Sequence, residues 1–345
     1  MPSVGTSPLP PVGGDLNLFV WRGYGAPDAT AAWLKREGIT THVRYITQPD
    51  EVPTVLQGPG GDRWDLSYGD NVVLPYYRDL GLVRPITLDE VPGLAGLMPA
   101  FQTAPWKNED GTYNGVPWTW GFTALTYRND AASPTSWQDI LAPSYRGRVS
   151  TLDAALNNVA IACIAMGVDP DAMTVEQLDG PVRSWLMRLR GQIHTIAPSI
   201  ADQVMQLTSG EVDYMVCGIT FLDREAAKAG VKTRTVVPSE GAIGWADTAF
   251  VPPTAPNPQN ALAFANHLLA PKTNADANGE LLQGPTVADA VPLLPARASA
   301  VYAFSDIDNF LTHRLTFNTG FPHEPDGDLA TYDQVEQTWD EVKSS

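Results

Sequence analysis

Trp245 and Asp247 stand two residues apart in Glu240-Gly241-Ala242-Ile243-Gly244-Trp245-Ala246-Asp247, a segment that reads as extended. Side chains at i and i+2 of a strand share a face, so the ring and the carboxylate would point the same way. A Trp ring supplies an apolar wall and a cation–π surface, and an Asp a counter-charge; together they suit a small ammonium group. Taken alone, the pair reads more readily as a buried Trp beside a surface Asp. Other chemistries lack even this much. The chain has no G-x-S-x-G, G-x-G-x-x-G, P-loop or H-E-x-x-H, so hydrolase, dehydrogenase, NTPase and zinc-protease readings are without their motif. His42, His194, His267, His313 and His323 are scattered without ligand spacing, and Cys163 and Cys217 form no C-x-x-C pair, so neither a metal nor a cofactor is expected. The two cysteines lie in different apolar neighbourhoods and read more readily as buried free thiols than as a disulfide, which stays open.

The elements that must position these residues follow from the pattern of the chain. Strand-like runs at Leu16–Trp21, Thr41–Ile46, Trp64–Tyr68, Arg148–Leu152, Asp213–Cys217, Thr233–Pro238 and Ile243–Val251, with a strand pair around Gly115–Arg128, alternate with helical runs. The helices are expected at Ala29–Glu37, Asn71–Leu80, Asp139–Leu141, Ala154–Met166 (amphipathic), Val175–Arg190, Ile200–Leu207 and Gln259–Leu269. Such alternation predicts the α/β class with largely parallel sheets. At 345 residues and 43% hydrophobic content the chain is long enough for two cores. No apolar run reaches the roughly 18 residues of a membrane span, which predicts a soluble chain. The formal net charge of −17 argues against nucleic acid, whose phosphates call for a basic stripe, and suits a cationic ligand only loosely. Met1–Gly14 is rich in Pro, Gly and Ser and reads as a flexible lead-in without the basic start and apolar core of a signal peptide.

A second segment adds weight to the Trp-x-Asp pair. Leu16-Asn17-Leu18-Phe19-Val20-Trp21-Arg22-Gly23-Tyr24 runs a first strand straight into Trp-x-x-Tyr. Together with Trp64-Asp65-Leu66, Gly115-Val116-Pro117-Trp118-Thr119-Trp120-Gly121 and Pro238–Asp247, it resembles the polyamine-binding branch of the periplasmic solute-binding proteins of ABC importers. The resemblance runs from about Leu16 to the C-terminal helix, and Pro238–Asp247 is its most specific piece. It implies a two-lobe periplasmic-binding-protein-like fold with a ligand cleft between the lobes and hinge closure. Carried over, residues 15–118 plus 247–298 form lobe 1 and residues 119–246 plus 299–345 form lobe 2. It further implies capture without chemistry, ABC permease subunits as partners, a monomer, and a periplasmic or lipid-anchored location from whose chain a signal segment has been removed. The residues alone equally allow a cytoplasmic protein.

The resemblance also implies roles. Trp21 and Tyr24 match an aromatic wall over the ligand, Asp247 an acid that pairs with an amine, and Trp245 the ring beside it. Asp153 falls where the family places another amine-binding acid, and reads equally as the N-cap of the helix that follows. Asp70 stands at a site usually held by a small hydroxyl, and it too could cap the next helix. The chain departs from the pattern where Gly23 and Leu156 replace acids, where Cys217 and Gly218 replace a Trp, and where Arg22 replaces a small hydroxyl. Fewer carboxylates and an added guanidinium suit one amine plus an apolar or anionic end, which makes an ω-amino acid such as 4-aminobutyrate a candidate beside the polyamines. Arg22 reads equally as a solvated charge at a strand end. A ligand-sensing receptor ectodomain and an enzyme on the same architecture are the competing classes.

Overall fold

The computed structural model describes residues 12–24, 28–48, 50–302 and 304–345. Most of the expected flexible lead-in, residues 1–11, lies outside the described residues, and Gly14 already belongs to the first strand. In chain order the elements are β1 (Gly14–Val20), α1 (Asp28–Glu37), β2 (Ile39–Tyr45), α2 (Glu51–Gln57), β3 (Leu66–Gly69), α3 (Leu74–Asp79), β4 (Val116–Arg128), β5 (Val149–Leu152) and α4 (Ala155–Met166). Next come α5 (Val175–Gln177), which runs through a widened turn at Pro181 into α6 (Arg183–Arg190), then β6 (Ile193–Ala197), α7 (Ile200–Ser209), β7 (Tyr214–Gly218), α8 (Thr220–Lys228) and β8 (Thr233–Val236). The chain ends through β9 (Ala242–Phe250), α9 (Pro258–Leu268), α10 (Pro271–Leu281), β10 (Gly284–Pro285), α11 (Ala296–Tyr302), α12 (Ile307–His313), β11 (Leu315–Thr316) and α13 (Tyr332–Ser344).

These elements make two compact units, one comprising the chain up to Trp120 together with Ala246–Asp308, the other Gly121–Trp245 with Asn309–Ser345. In the first, β1 pairs in parallel with β2 and β3, β3 runs antiparallel to the second half of β9 (Tyr68 opposite Ala249), and β10 runs antiparallel to the start of β4. Asp65 ties this unit together. It is fully buried and accepts from the Asn17 backbone N–H (2.7 Å) and side chain (2.8 Å) and from the Asn257 backbone N–H (2.5 Å) and side chain (3.2 Å). A buried carboxylate persists when its lone pairs are taken up in this way.

In the second unit, β4 runs antiparallel to β7 and β8, β5 lies parallel between β6 and β7, and β11 pairs in parallel with the start of β9. Its core gathers Trp137, Trp185 and Trp339 with the apolar residues of α4. Local sequence explains the helix ends. Ser199 caps α7 by accepting the Asp202 N–H, Thr331 and Gln334 form a reciprocal capping box at α13, and Gly167 and Gly210 close α4 and α7 in the left-handed conformation.

Three expectations are corrected. The strand pair around Gly115–Arg128 is one uninterrupted strand, β4, buried along nearly its whole length. Buried on both faces, it lacks the polar alternation that would have shown a single strand, and Gly121 marks a close approach instead of a turn. The α4 helix is buried nearly all round, so it is a core helix and not an amphipathic one. Asp153 does not cap it: the cap position is Ala154, without a side-chain bond, because the Asp153 carboxylate is drawn to α13.

Candidate functional site

In the first unit the turn after β1 sets the geometry. The Tyr24 N–H closes on the Trp21 carbonyl at 3.0 Å, and Gly23 between them has φ +95, a conformation that L side chains rarely adopt. That backbone accounts for Gly23 where an acid was expected. The turn buries Tyr24 and leaves Trp21 half-buried. Arg22 points outward, its guanidinium over the Tyr45 ring at 4.7 Å.

Tyr24 meets Asp247 across a separation of more than two hundred residues, its hydroxyl 2.6 Å from Oδ2. Around them the Tyr24 ring makes edge contacts with Tyr68 (5.2 Å between centroids) and Trp118 (5.0 Å). The Tyr68 hydroxyl and the Trp118 indole N–H are buried without a hydrogen-bond partner among the described residues. Gln283 reaches the Tyr24 hydroxyl from the far side at 2.9 Å.

Asp70 follows β3 and accepts from the N–H groups of Val72 (3.0 Å) and Val73 (3.2 Å), so it caps the turn leading into α3. Its charge is also felt at Asp247. Burial, then the neighbouring Asp70, push the Asp247 carboxyl up to about 7, against a smaller lowering by the Tyr24 hydroxyl. Burial raises Asp70 as well, and burial and Asp247 raise Tyr68. Among the described residues no Lys, Arg or His forms an ion pair with Asp70 or Asp247. Two carboxylates ringed by aromatic side chains and without a protein cation form a place where an ammonium would be stabilised.

Along β9, Trp245 and Asp247 are half-buried on either side of the fully buried Ala246, which puts them on one face of the strand. In the second unit the Trp245 ring lies against Gly121: a Cβ there would sit 2.1 Å from a ring carbon. Asp153, also in this unit, accepts from Trp339 Nε1 (2.8 Å) and Lys343 Nζ (3.0 Å). Burial pushes its carboxyl up, but those two donors outweigh it and hold it below the usual range. Of the residues picked from sequence, the structure therefore brings Tyr24, Asp70 and Asp247 together, puts Trp245 on the Asp247 face, and directs Arg22 to Tyr45 and Asp153 to α13. Tyr68, Trp118 and Gln283 were missed. Tyr68 and Trp118 lay inside or beside quoted motifs without an assigned role, and no local signal marks Gln283.

A family profile described as bacterial extracellular solute-binding protein matches residues 28–302. Among curated relatives, the putrescine-binding periplasmic protein PotF of Escherichia coli K12 is 26% identical over 299 residues, covering 81% of this chain and 80% of that one. The putrescine/agmatine-binding protein of Pseudomonas aeruginosa is 24% identical over 281 residues, 75% of each chain. Among solved structures, the spermidine/putrescine ABC transporter substrate-binding protein PotD of Streptococcus pneumoniae superposes with a TM-score of 0.81 at 19% identity over 96% of this chain and 100% of that one. The PotD lipoprotein of Treponema pallidum gives 0.78 at 15% identity, over 96% and 100% of the two chains. The fold is thus the two-lobe α/β fold of the periplasmic binding proteins.

Proposed function

This chain belongs to the bacterial extracellular solute-binding proteins, and we propose that it is the capture subunit of an ABC importer for a short cationic amine of the putrescine class. As a solute-binding protein it works by binding and not by turnover. It acts outside the cytoplasm as a monomer and delivers its ligand to permease subunits. The observation that carries the ligand class is Asp247, half-buried beside Asp70 in a box of Tyr24, Tyr68 and Trp118 with no cation of the protein among the described ion pairs. An ammonium there gains a carboxylate and aromatic faces together, the cation–π share being about 0.5–2 kcal/mol. The names of the curated relatives point the same way.

A short diamine is favoured over longer polyamines because each further ammonium needs its own acid. Gly23 and Leu156 supply none, and Asp153 is already held by Lys343. An ω-amino acid is the weaker reading, since Arg22, its candidate carboxylate clamp, lies over Tyr45. Titration calorimetry with putrescine, agmatine, spermidine and 4-aminobutyrate tests this. Putrescine or agmatine should bind at least tenfold more tightly than 4-aminobutyrate, and Asp247→Asn should weaken that binding at least tenfold, about 1.4 kcal/mol. Binding of 4-aminobutyrate alone, or an Asn variant of unchanged affinity, would overturn it.

A further inference from the structure

Behind Tyr24 runs a chain of hydrogen bonds with too few protons for every acceptor. Asn278 is fully buried, and its amide nitrogen donates to the carbonyls of Trp118 (3.1 Å) and Asn274 (2.8 Å). Its Oδ1 therefore faces the Thr119 hydroxyl, 2.5 Å away, and can only accept. Thr119 is also fully buried and has one proton to give. With the Gln283 carbonyl toward Thr119 Oγ1 (2.8 Å) and its amide nitrogen toward the Tyr24 hydroxyl (2.9 Å), Thr119 faces two acceptors with that single proton. One oxygen–oxygen contact is then left without hydrogen.

Turning the Gln283 amide over removes the conflict, because the two ends of an amide share one shape and are told apart only by their partners. The NH2 end then donates to Thr119, and the carbonyl accepts the Tyr24 proton. Tyr24 has nothing left to give Asp247, 2.6 Å away, so the proton between them must come from the carboxyl. Gln283 is held for this by its backbone: Leu282 before it sits at φ +59, a left-handed conformation uncommon for a non-glycine residue, and the Gln283 N–H is bonded to the Asn278 carbonyl at 3.0 Å.

We propose that Gln283 is a positioning residue that, through Tyr24, keeps Asp247 protonated in the free protein, so that an ammonium ligand binds by displacing the Asp247 proton to solvent. This rests on the amine reading above. The exchange balances: carboxylic acid plus ammonium becomes a carboxylate–ammonium pair and one released proton. The ligand's N–H groups then supply the donor that the ionised network lacks. Burial and the one charged neighbour favour the protonated carboxyl, and only a proton donated by Tyr24 would oppose it. Asp70 after β3 is an acid, Tyr68 on β3 and Tyr24 after β1 are neutral hydroxyls, and no cation is paired with Asp247 among the described residues. A carboxyl near 7 agrees with this and sets the size of the effect: about half a proton released per ligand at pH 7, rising toward one near pH 6.

The test has a ligand-free arm and a ligand arm. In protein carrying 13C-labelled aspartate carboxyls, the resonance missing from Asp247→Asn should titrate near neutrality, and in Gln283→Leu, where Tyr24 is free to donate to Asp247, it should move down by at least one pH unit. Titration below about pH 5 in the wild-type chain, or no movement in Gln283→Leu, overturns the proposal without involving any ligand. With putrescine as probe, calorimetry in buffers of different ionisation enthalpy should show proton release that shrinks in Gln283→Leu. Binding with no release at pH 6–7 overturns the relay and leaves the amine reading standing; no amine binding in any buffer overturns the amine reading, and the resonance titration then decides the relay.

Discussion

Replacing Asp247 by Asn should make the free protein more stable while disabling it. Burial and Asp70 hold the Asp247 carboxyl at about 7, against an ordinary value of 3.8. A shift of about three pH units corresponds to about 4 kcal/mol at about 1.4 kcal/mol per unit, an upper figure because the half-buried carboxylate keeps some contact with water. The sign follows from proton counts. Between about pH 4 and 7 the native protein holds a proton at Asp247 that the unfolded chain has given up, so stability falls as pH rises through that window and levels off above it. Asn keeps the shape, stays neutral at every pH, and offers Tyr24 an N–H in place of the acid proton. Its advantage should be absent at pH 4, grow between pH 4 and 7, and reach about 2–4 kcal/mol at pH 8. Denaturant melts of both proteins at pH 4, 6 and 8 read the difference directly, with the transition of the first unit followed separately if the two units melt apart. An Asn variant no more stable than the wild-type chain at pH 8, or one whose advantage does not vary with pH, would refute the reasoning.

Three further outcomes are expected. Gly121→Val should push the Trp245 ring off β4, since even a Cβ would lie 2.1 Å from it; Trp emission should change and denaturant melts should show a loss of about 1–3 kcal/mol, whereas unchanged emission and stability would contradict that close contact. Tyr68→Phe deletes a buried hydroxyl that has no partner among the described residues, so stability should stay within about 1 kcal/mol of wild type or rise, and a loss above about 2 kcal/mol in denaturant melts would reveal a partner. Burial pushes the Cys163 thiol up to about 12 and that of Cys217 to about 11, so neither should react with a thiol reagent at pH 8 until the protein is denatured, and fast labelling of the native chain would contradict their burial.

Much of this is legible in the amino-acid sequence. The strands around Leu18 and Val216 announced themselves as short, largely apolar runs, and Trp245 and Asp247 by a spacing of two. Elements whose stabilisation comes from tertiary packing were harder to see. The β6 strand carries a His and a Thr among its five residues, and α10 is mostly small and polar, with Asn274 and Asn278 serving the backbone of β4 rather than an apolar face. The site divides along the same line. Tyr24 and Asp247 stood out as an aromatic and an acid in recognisable segments. Gln283 matters only because Leu282 turns the chain at the end of α10, and no spacing in the sequence marks it. Arg22 shows the converse: its charge suggested a clamp, but in the structure it lies over a neighbouring ring.

Asp65 bonded to Asn257, β3 laid against β9, and Gln283 under Tyr24 have a bearing on time as well as on structure. Each joins segments far apart in the chain, 192 residues for Asp65 and Asn257 and 259 for Tyr24 and Gln283, so none can form until most of the polypeptide has emerged. The entropy of closing such long loops is lost before their contacts give anything back, which slows assembly. A chain emerging vectorially would carry β1 and Tyr24 for most of its synthesis with no acid to meet. The candidate site of the first unit should therefore be among the last features to mature, and a chain cut short before residue 283 would have its carboxylate but not the amide behind it.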